Sequence, residues 1–274
     1  MSAPDAVSRS RAQFARAVRR YAASPLFRSD AGLRAFVALV EPAPEHRVLD
    51  VATGAGFVAL ALAPLVREVI ATAITAEMLA EARRLAAERE AGNVRFAFAQ
   101  AEALPFRDAR FDRVTVRSAP HHFADVGEFA REAARVLKPG GRLVVMDSGA
   151  PEDPEANAWL DRLERLRDAS HARNYTVTEW RAYVTAAGLL PERIERWERE
   201  RAWRLEFDEW TARAGTPADR KAAARRLLGS APPSAIAAYR IECIDGRWWF
   251  DIPRVVVVAR RPERPLAAPP LRLR

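Results

Sequence analysis

Between Arg47 and Asp147, short apolar runs alternate with segments whose apolar residues recur every three or four positions. That rhythm belongs to repeated strand–helix units that build a parallel sheet. Runs at 47–51, 68–73, 94–99, 111–116 and 142–147 are the expected strands. In the helix after the second run, Met78, Leu79, Ala82, Leu85 and Ala86 share one face and are expected to pack inward. A later helix opens at Asp125, a capping residue, with Glu128 three positions on, and turns Phe129, Ala133, Val136 and Leu137 to the core. Lys138-Pro139-Gly140-Gly141 is expected to end it, because proline cannot continue a helix and glycine permits the left-handed backbone of a cap.

After Asp147 the pattern is helical over 155–168 and 177–188, and again over 208–241, which reads as an insertion. Two further strands are expected, at 192–205 and at 254–260, the second carrying four consecutive valines. The chain therefore divides into an N-terminal helical lid (1–46), an α/β core (47–148), the rest of the α/β fold with helical insertions (149–261) and a proline-rich, mobile tail (262–274).

Composition narrows the function classes. A chain of 274 residues that is 49% hydrophobic and 29% charged can bury a large core and is not intrinsically disordered. Its one cysteine, Cys243, excludes an internal disulfide and any multi-cysteine zinc site, and no metal ligands are expected. The apolar stretch 57–66 is about half of what spans a bilayer, and the Arg- and Ser-rich N-terminus lacks the apolar centre of a secretory signal. A cytoplasmic protein with no membrane partner is expected. The net charge of +8 points first to nucleic acid, but +4 lies in residues 1–47 and +5 in 254–274, leaving −1 between them. A nucleic-acid partner is therefore not expected, and oligomeric state is left open.

The segment richest in chemistry is Val48-Leu49-Asp50-Val51-Ala52-Thr53-Gly54-Ala55-Gly56, a strand that runs through a glycine turn into a helix. Such a turn lets the backbone lie close against a nucleotide cofactor at a strand's carboxyl end. A dinucleotide-binding Gly-x-Gly-x-x-Gly would need glycine at 59, where Ala59 stands. Together with Ala101-Glu102-Ala103-Leu104-Pro105-Phe106, Phe111-Asp112-Arg113-Val114, His121-His122-Phe123 and Leu137-Lys138-Pro139-Gly140-Gly141-Arg142-Leu143, this segment resembles the class I S-adenosylmethionine-dependent methyltransferases. The likeness is to their ubiquinone/menaquinone-biosynthesis-like small-molecule group. It implies a Rossmann-like seven-stranded α/β sheet with helices on both faces, an N-terminal helical lid and a C-terminal helical insertion.

The resemblance also implies a site. Asp50, with the backbone of Ala52, Thr53, Gly54 and Gly56, would hold the methionine end of S-adenosylmethionine, and Ile74 and Met78 would bracket its adenine. Ala73 stands where the family carries the acid that grips both ribose hydroxyls, so cofactor affinity is expected to be lower by one or more orders of magnitude. Gln100, Ala101 and Glu102 fall at the adenine end, where an amide can both accept from and donate to the base. Arg117 joins the cofactor-binding set.

His121 and His122 follow the fourth strand, where an imidazole can take a proton from the attacking nucleophile, and Asp147 ends the fifth strand as an orienting partner or alternative base. Phe14, Val18 and Tyr21 share a helical face, and Tyr21 is the candidate lid residue. His171 and Arg173, in a polar cluster with Ser170, and the neighbouring Tyr175 are substrate candidates, within a region that carries all of the chain's tryptophans. The expected activity is methyl transfer to an O, N or C atom of a small, aromatic or polyketide- or quinone-like acceptor. Ala73 keeps two alternatives open: the same fold catalysing cyclisation, isomerisation or hydroxylation, or a non-catalytic binding protein.

Overall fold

The computed structural model describes residues 6–23, 31–198 and 202–264. In chain order the elements are α1 (Ala6–Ala23), α2 (Ala31–Val40), β1 (Arg47–Asp50), α3 (Phe57–Leu62), β2 (Glu68–Ala73), α4 (Ala76–Glu88), β3 (Val94–Phe98), β4 (Phe111–Arg117), α5 (Val126–Val136) and β5 (Leu137–Ser148). They continue with α6 (Pro154–Arg167), α7 (Val177–Ala186), β6 (Leu190–Trp197), β7 (Trp203–Glu206), α8 (Phe207–Ala214), α9 (Ala218–Gly229), α10 (Pro233–Tyr239), β8 (Glu242–Ile244), β9 (Arg247–Ile252) and β10 (Arg254–Arg260).

Seven strands form one sheet in the order β3-β2-β1-β4-β5-β10-β6. The pairs from β3 through β5 are parallel, and β10 runs antiparallel to both its neighbours, β5 and β6. Strand order reverses between β1 and β4, so their carboxyl ends open a crevice, the place where open α/β sheets bind ligands. The sheet is covered on both faces. On one, α5 and α7 pack Phe129, Val136, Trp180 and Val184 against Leu49, Val114 and Val257. On the other, α2 and α3 pack Phe36, Val40 and Leu62 against Val48, Val69, Val144 and Val256. Burial on two sides is why the central strands are runs of Val, Ile and Leu instead of alternating patterns.

The α4 and α5 faces expected from the sequence are buried as read, and the Asp125 carboxylate accepts the Glu128 amide at 2.9 Å. The end of α5 differs. The helix stops at Val136 with Leu137 already extended, and Gly140 and Gly141 shape the start of β5 instead of closing the helix. A Cβ on Gly141 would lie 2.9 Å from the Lys138 carbonyl oxygen and 3.1 Å from that of Asp112, so the close approach to β4 requires glycine.

The single strand expected at 192–205 is also corrected. Among the described residues, β10 pairs with β6 only as far as Trp197, opposite Arg254. β7 instead pairs with β9, and β8 completes a separate three-stranded antiparallel sheet. With α6 and α8–α10 this small sheet encloses its own core, including Trp159, Leu163, Phe207, Trp210, Tyr239 and Phe250. α1 lies across the carboxyl edge of the main sheet, where Phe14 and Val18 pack on Ala73, Met78 and Leu79. Most of the expected mobile tail, 265–274, lies outside the described residues. Among those described, no helix is long and apolar enough to cross a membrane.

Candidate functional site

The glycine turn after β1 is held from beneath. Asp50 is buried and accepts hydrogen bonds from the hydroxyls of Thr53 at 2.5 Å and Thr115 at 2.8 Å. Burial pushes its carboxyl up to about 6, and the two hydroxyl bonds oppose that rise only in part. Above the carboxylate the chain enters left-handed backbone at Ala52 (φ 53°), Gly54 (φ 57°) and Gly56 (φ 89°). The two glycines do different work. A Cβ on Gly54 would meet nothing within 4 Å, so that face of the turn is open to the crevice. A Cβ on Gly56 would sit 3.3 Å from the Ala82 Cβ, so Gly56 brings α3 close to α4. Neither Asp50 nor Gly56 lines the cavity: they support Ala52, Thr53 and Gly54, which do.

The cavity runs from this turn along the ends of β2, β3 and β4. Ala73, Ile74, Met78, Gln100, Ala101, Glu102 and Arg117 all line it, as does Phe14 of α1. Ala73 sits in an apolar cluster with Met78 and Leu79, and Glu77 is exposed outside the cavity lining, so Glu77 does not take the place of the expected acid. Among the described lining residues the carboxylates are Glu102 and Glu164, and one Glu102 oxygen accepts the amides of Ala124 and Asp125 at 2.8 and 3.3 Å. Ser118 also faces the cavity, in left-handed backbone (φ 56°), with its hydroxyl buried and without a hydrogen-bond partner among the described residues. Strain of that kind in a non-glycine residue persists where the surroundings impose it, commonly at ligand sites. An open glycine face, an unsatisfied hydroxyl, the Gln100 amide and the Ile74–Met78 wall are groups of the kind that the resemblance implies for S-adenosylmethionine, and Ala73 offers no carboxylate where the family carries one.

Past Ser118 the chain makes a short 3-10 turn, Pro120–His122, which presents both histidines to the cavity. His121 Nδ1 lies 2.6 Å from one oxygen of Asp147, and the backbone amide of His121 donates to the other at 2.8 Å. Burial presses the His121 pKa down, but the charge and hydrogen bond of Asp147 prevail and hold it above 6.5. His122 goes the other way. Burial and the neighbouring His121 put its pKa well below the usual value, and its Nδ1 lies 3.1 Å from the Ser170 hydroxyl. The Phe14 ring meets the His122 ring edge-on at 4.8 Å between centres.

The far wall is assembled from late segments: Glu164 and Arg167 of α6, Trp203 and Leu205 of β7, Trp210 and Arg213 of α8, and Ile252 of β9. Glu164 and Arg167 form a buried ion pair at 2.9 Å, and the Arg167 guanidinium lies 4.8 Å from the centre of the Trp210 ring. These wall residues escaped the sequence reading because an acid and an arginine three apart on a helix look like an ordinary surface pair. Ser118 gave no sequence signal, since its backbone conformation is set by packing.

Three expected substrate residues are corrected. The His171 side chain is fully buried and bonds Asp161 at 3.1 Å, behind the histidine pair instead of in the cavity. Arg173 pairs with Glu179 and lies over the Tyr175 ring, outside the cavity. Tyr175 is buried in the main core against Trp180 and Tyr183, and burial raises its hydroxyl pKa further. The polarity of that loop serves internal bonding, which a linear reading cannot separate from ligand binding. Tyr21 falls on the α1 backbone, but its side chain lies outside the described residues.

A methyltransferase-domain family profile matches residues 49–145. The chain is 41% identical over 208 residues to the uncharacterized methyltransferase YcgJ of Bacillus subtilis (strain 168), covering 76% of this chain and 81% of that protein. The crystal structure of YcgJ superposes with a TM-score of 0.81 at 38% identity, over 85% of this chain and 99% of that one. The structure of the BH2331 protein of Bacillus halodurans C-125 gives 0.80 at 32% identity, over 85% and 100%. The demethylmenaquinone methyltransferase of Thermus thermophilus is 45% identical over 120 residues, 43% of this chain and 54% of that protein. With the seven-stranded sheet, the glycine turn and these relatives in agreement, the chain belongs to the class I S-adenosylmethionine-dependent methyltransferases.

Proposed function

We propose that the protein methylates an oxygen, nitrogen or activated carbon of a small, largely apolar acceptor of aromatic or quinone-like character, with His121 as proton acceptor. The observation that carries this is His121, which lines the same cavity as the open glycine turn and is held from behind by the buried Asp147 at the end of β5. When bound, S-adenosylmethionine supplies a sulfonium-activated methyl group.

In this reading the open face of Gly54, the Thr53 and Ser118 hydroxyls and Arg117 receive the methionine end. Ile74 and Met78 flank the base, and Gln100 bonds its edge. Asp147 takes the Nδ1 proton of His121 as a hydrogen bond, which leaves the Nε2 lone pair for the acceptor, and it then stabilises the imidazolium formed on proton uptake. Trp203, Leu205, Trp210 and Ile252 give the acceptor an apolar, aromatic wall, while Phe14 and α1 exclude water from above. The name of the Thermus relative specifies a quinone precursor, which supports this acceptor class. Ala73 is the sole motive for a non-methylating reaction, and methyltransferase relatives do not favour it.

The test is a screen of phenolic and quinol acceptors with S-adenosylmethionine, read by product mass. A gain of one methyl group that His121→Asn slows at least about a hundredfold, with S-adenosylhomocysteine binding retained, is the expected result. Methylation at an undiminished rate in His121→Asn would overturn the assigned role.

A further inference from the structure

The residues beneath His122 form a second carboxylate-backed arrangement that the His121–Asp147 pair does not use. The Ser170 backbone amide and hydroxyl both contact the same oxygen of Asp168, at 2.8 and 2.6 Å. The Ser170 hydroxyl oxygen also lies 3.1 Å from His122 Nδ1. Asp168 and Ser170 are buried.

Counting protons fixes the direction of the chain of bonds. Ionised Asp168 can only accept, so the one hydroxyl proton of Ser170 is given to it. The Ser170 oxygen is then left to accept, and His122 Nδ1 must carry the proton that fills the 3.1 Å contact. In a neutral ring this leaves the lone pair on Nε2. The ring lines the cavity, and a hydrogen bond to the Ser170 backbone adds to the hold of that loop on it. The opposite tautomer would set two lone pairs against each other, either between Ser170 and Asp168 or between Ser170 and His122.

We propose that Asp168 and Ser170 are positioning residues that lock His122 in its Nδ1–H tautomer, making Nε2 a second proton-accepting or hydrogen-bond-accepting atom beside His121. The geometry stands independently of the proposed function, and its effect on turnover rests on that function. The groups that face His122 from each neighbouring element agree with this. His121, backed by Asp147, and His171, backed by Asp161, disfavour a charge on it, and Asp168 favours one. Arg117, Arg213 and the Arg167–Glu164 ion pair of α6 line the same cavity, and from α1 Phe14 meets the His122 ring while the Ser10 hydroxyl bonds the His122 carbonyl oxygen. The net result is a ring kept neutral, with burial as the largest cause. On accepting a proton from an acceptor X–H at Nε2, His122 would become a cation. The X–H electron pair stays on the acceptor for attack on the methyl carbon, and Asp168 balances the new charge through Ser170.

The experiment is 15N NMR of histidine-labelled protein without cofactor, with the His122 signal assigned by its loss in His122→Asn. The expected wild-type spectrum shows protonated Nδ1 and unprotonated Nε2, still neutral at pH 6. Ser170→Ala and Asp168→Asn should move the ring toward the Nε2–H tautomer, and Ser170→Thr, which restores a hydroxyl, should not. Diethyl pyrocarbonate, which reacts with unprotonated imidazole nitrogen, gives a second readout by peptide mass. Modification at His122 should fall about tenfold in Ser170→Ala, the equivalent of one neutral hydrogen bond, and recover in Ser170→Thr. A melt that Ser170→Thr leaves at the wild-type temperature separates this from a folding defect. An Nε2–H tautomer in the wild type, or equal modification in every variant, overturns the proposal. If the Nδ1–H tautomer is found but His121→Asn methylates at an undiminished rate, the relay stands and the role given to His121 falls. If the tautomer is absent while His121→Asn is slowed as expected, only the relay falls.

Discussion

The two halves of the cavity are built by different means. The half proposed for the cofactor is made by short segments at the ends of β1–β3, with a left-handed turn, an open glycine face and short apolar side chains. The acceptor half is made by side chains from distant segments: two histidines after β4, an ion pair on α6, and aromatic residues from β7 and α8. Backbone recognition tolerates sequence change outside a few glycines, whereas side-chain recognition changes with each residue in the wall. In keeping with this contrast, the family profile, which matches 49–145, includes the turn after β1 and the ends of β2 and β3 but not α6, β7 or α8.

The largest expected effect falls in the acceptor half. His121→Asn should lower kcat by about 10²- to 10⁴-fold, the usual worth of a positioned proton acceptor, with calorimetric binding of S-adenosylhomocysteine unchanged. The pH profile sharpens the assignment. His121 accepts a proton only when neutral, and its pKa lies above 6.5, so the rate should rise with pH through that pKa. Asp147→Asn removes the group that raises the pKa while burial remains, so the rising limb should move to lower pH and its plateau should drop. A limb that stays in place would detach Asp147 from His121.

The next effect is on stability, in the cofactor half. The Asp50 carboxyl is raised from 3.8 to about 6, so the folded protein holds a proton there that the unfolded chain has released. Stability therefore falls as pH rises through this window, and the loss persists above it. The span of about two pH units corresponds to at most about 3 kcal/mol. Asp50→Asn should gain on the wild type between pH 4 and pH 6 in urea unfolding and hold a constant difference above, less whatever the Thr53 and Thr115 bonds lose. A difference that is flat across those pH values would contradict the buried-carboxylate account.

Ala73→Asp probes the same half from the other side. Two ribose hydroxyl bonds to a carboxylate are each worth about 1.5–3 kcal/mol, so S-adenosylhomocysteine should bind at least about tenfold more tightly. Because Ala73 is buried among Met78 and Leu79, the free variant should also melt lower than the wild type. Unchanged affinity would show that the ribose lies elsewhere. The smallest effect belongs to neither half: Asp125→Ala removes the α5 cap and should cost about 1 kcal/mol in unfolding, without altering cofactor binding.

Some features were legible and still misread. Asp245-Gly246, with both residues at positive φ, is a strong short hairpin signal between two β-prone runs, yet the reading at 208–241 gave helices and stopped short of the β8–β9 hairpin. The run 192–205 could not be divided from composition alone, because its break is set by where β10 ends as a partner. His171 and Arg173 resemble ligand-binding residues along the chain, and only their partners on other helices, Asp161 for the buried His171 and Glu179 for the part-exposed Arg173, show that they bond within the protein.

Periodicity and glycine placement were enough to place the five strands from β1 to β5, the turn after β1 and the apolar faces of α4 and α5, because each depends on neighbours a few residues away, whereas the seven-stranded sheet was implied by the family resemblance. Which acid holds which histidine, which glycine faces ligand and which faces packing, and which tryptophans line the cavity were decided by the tertiary structure. Those relations join residues separated by 26 positions, as for His121 and Asp147, or by 48, as for His122 and Ser170, and only the folded chain supplies the proximity and the dry surroundings that give them chemical meaning.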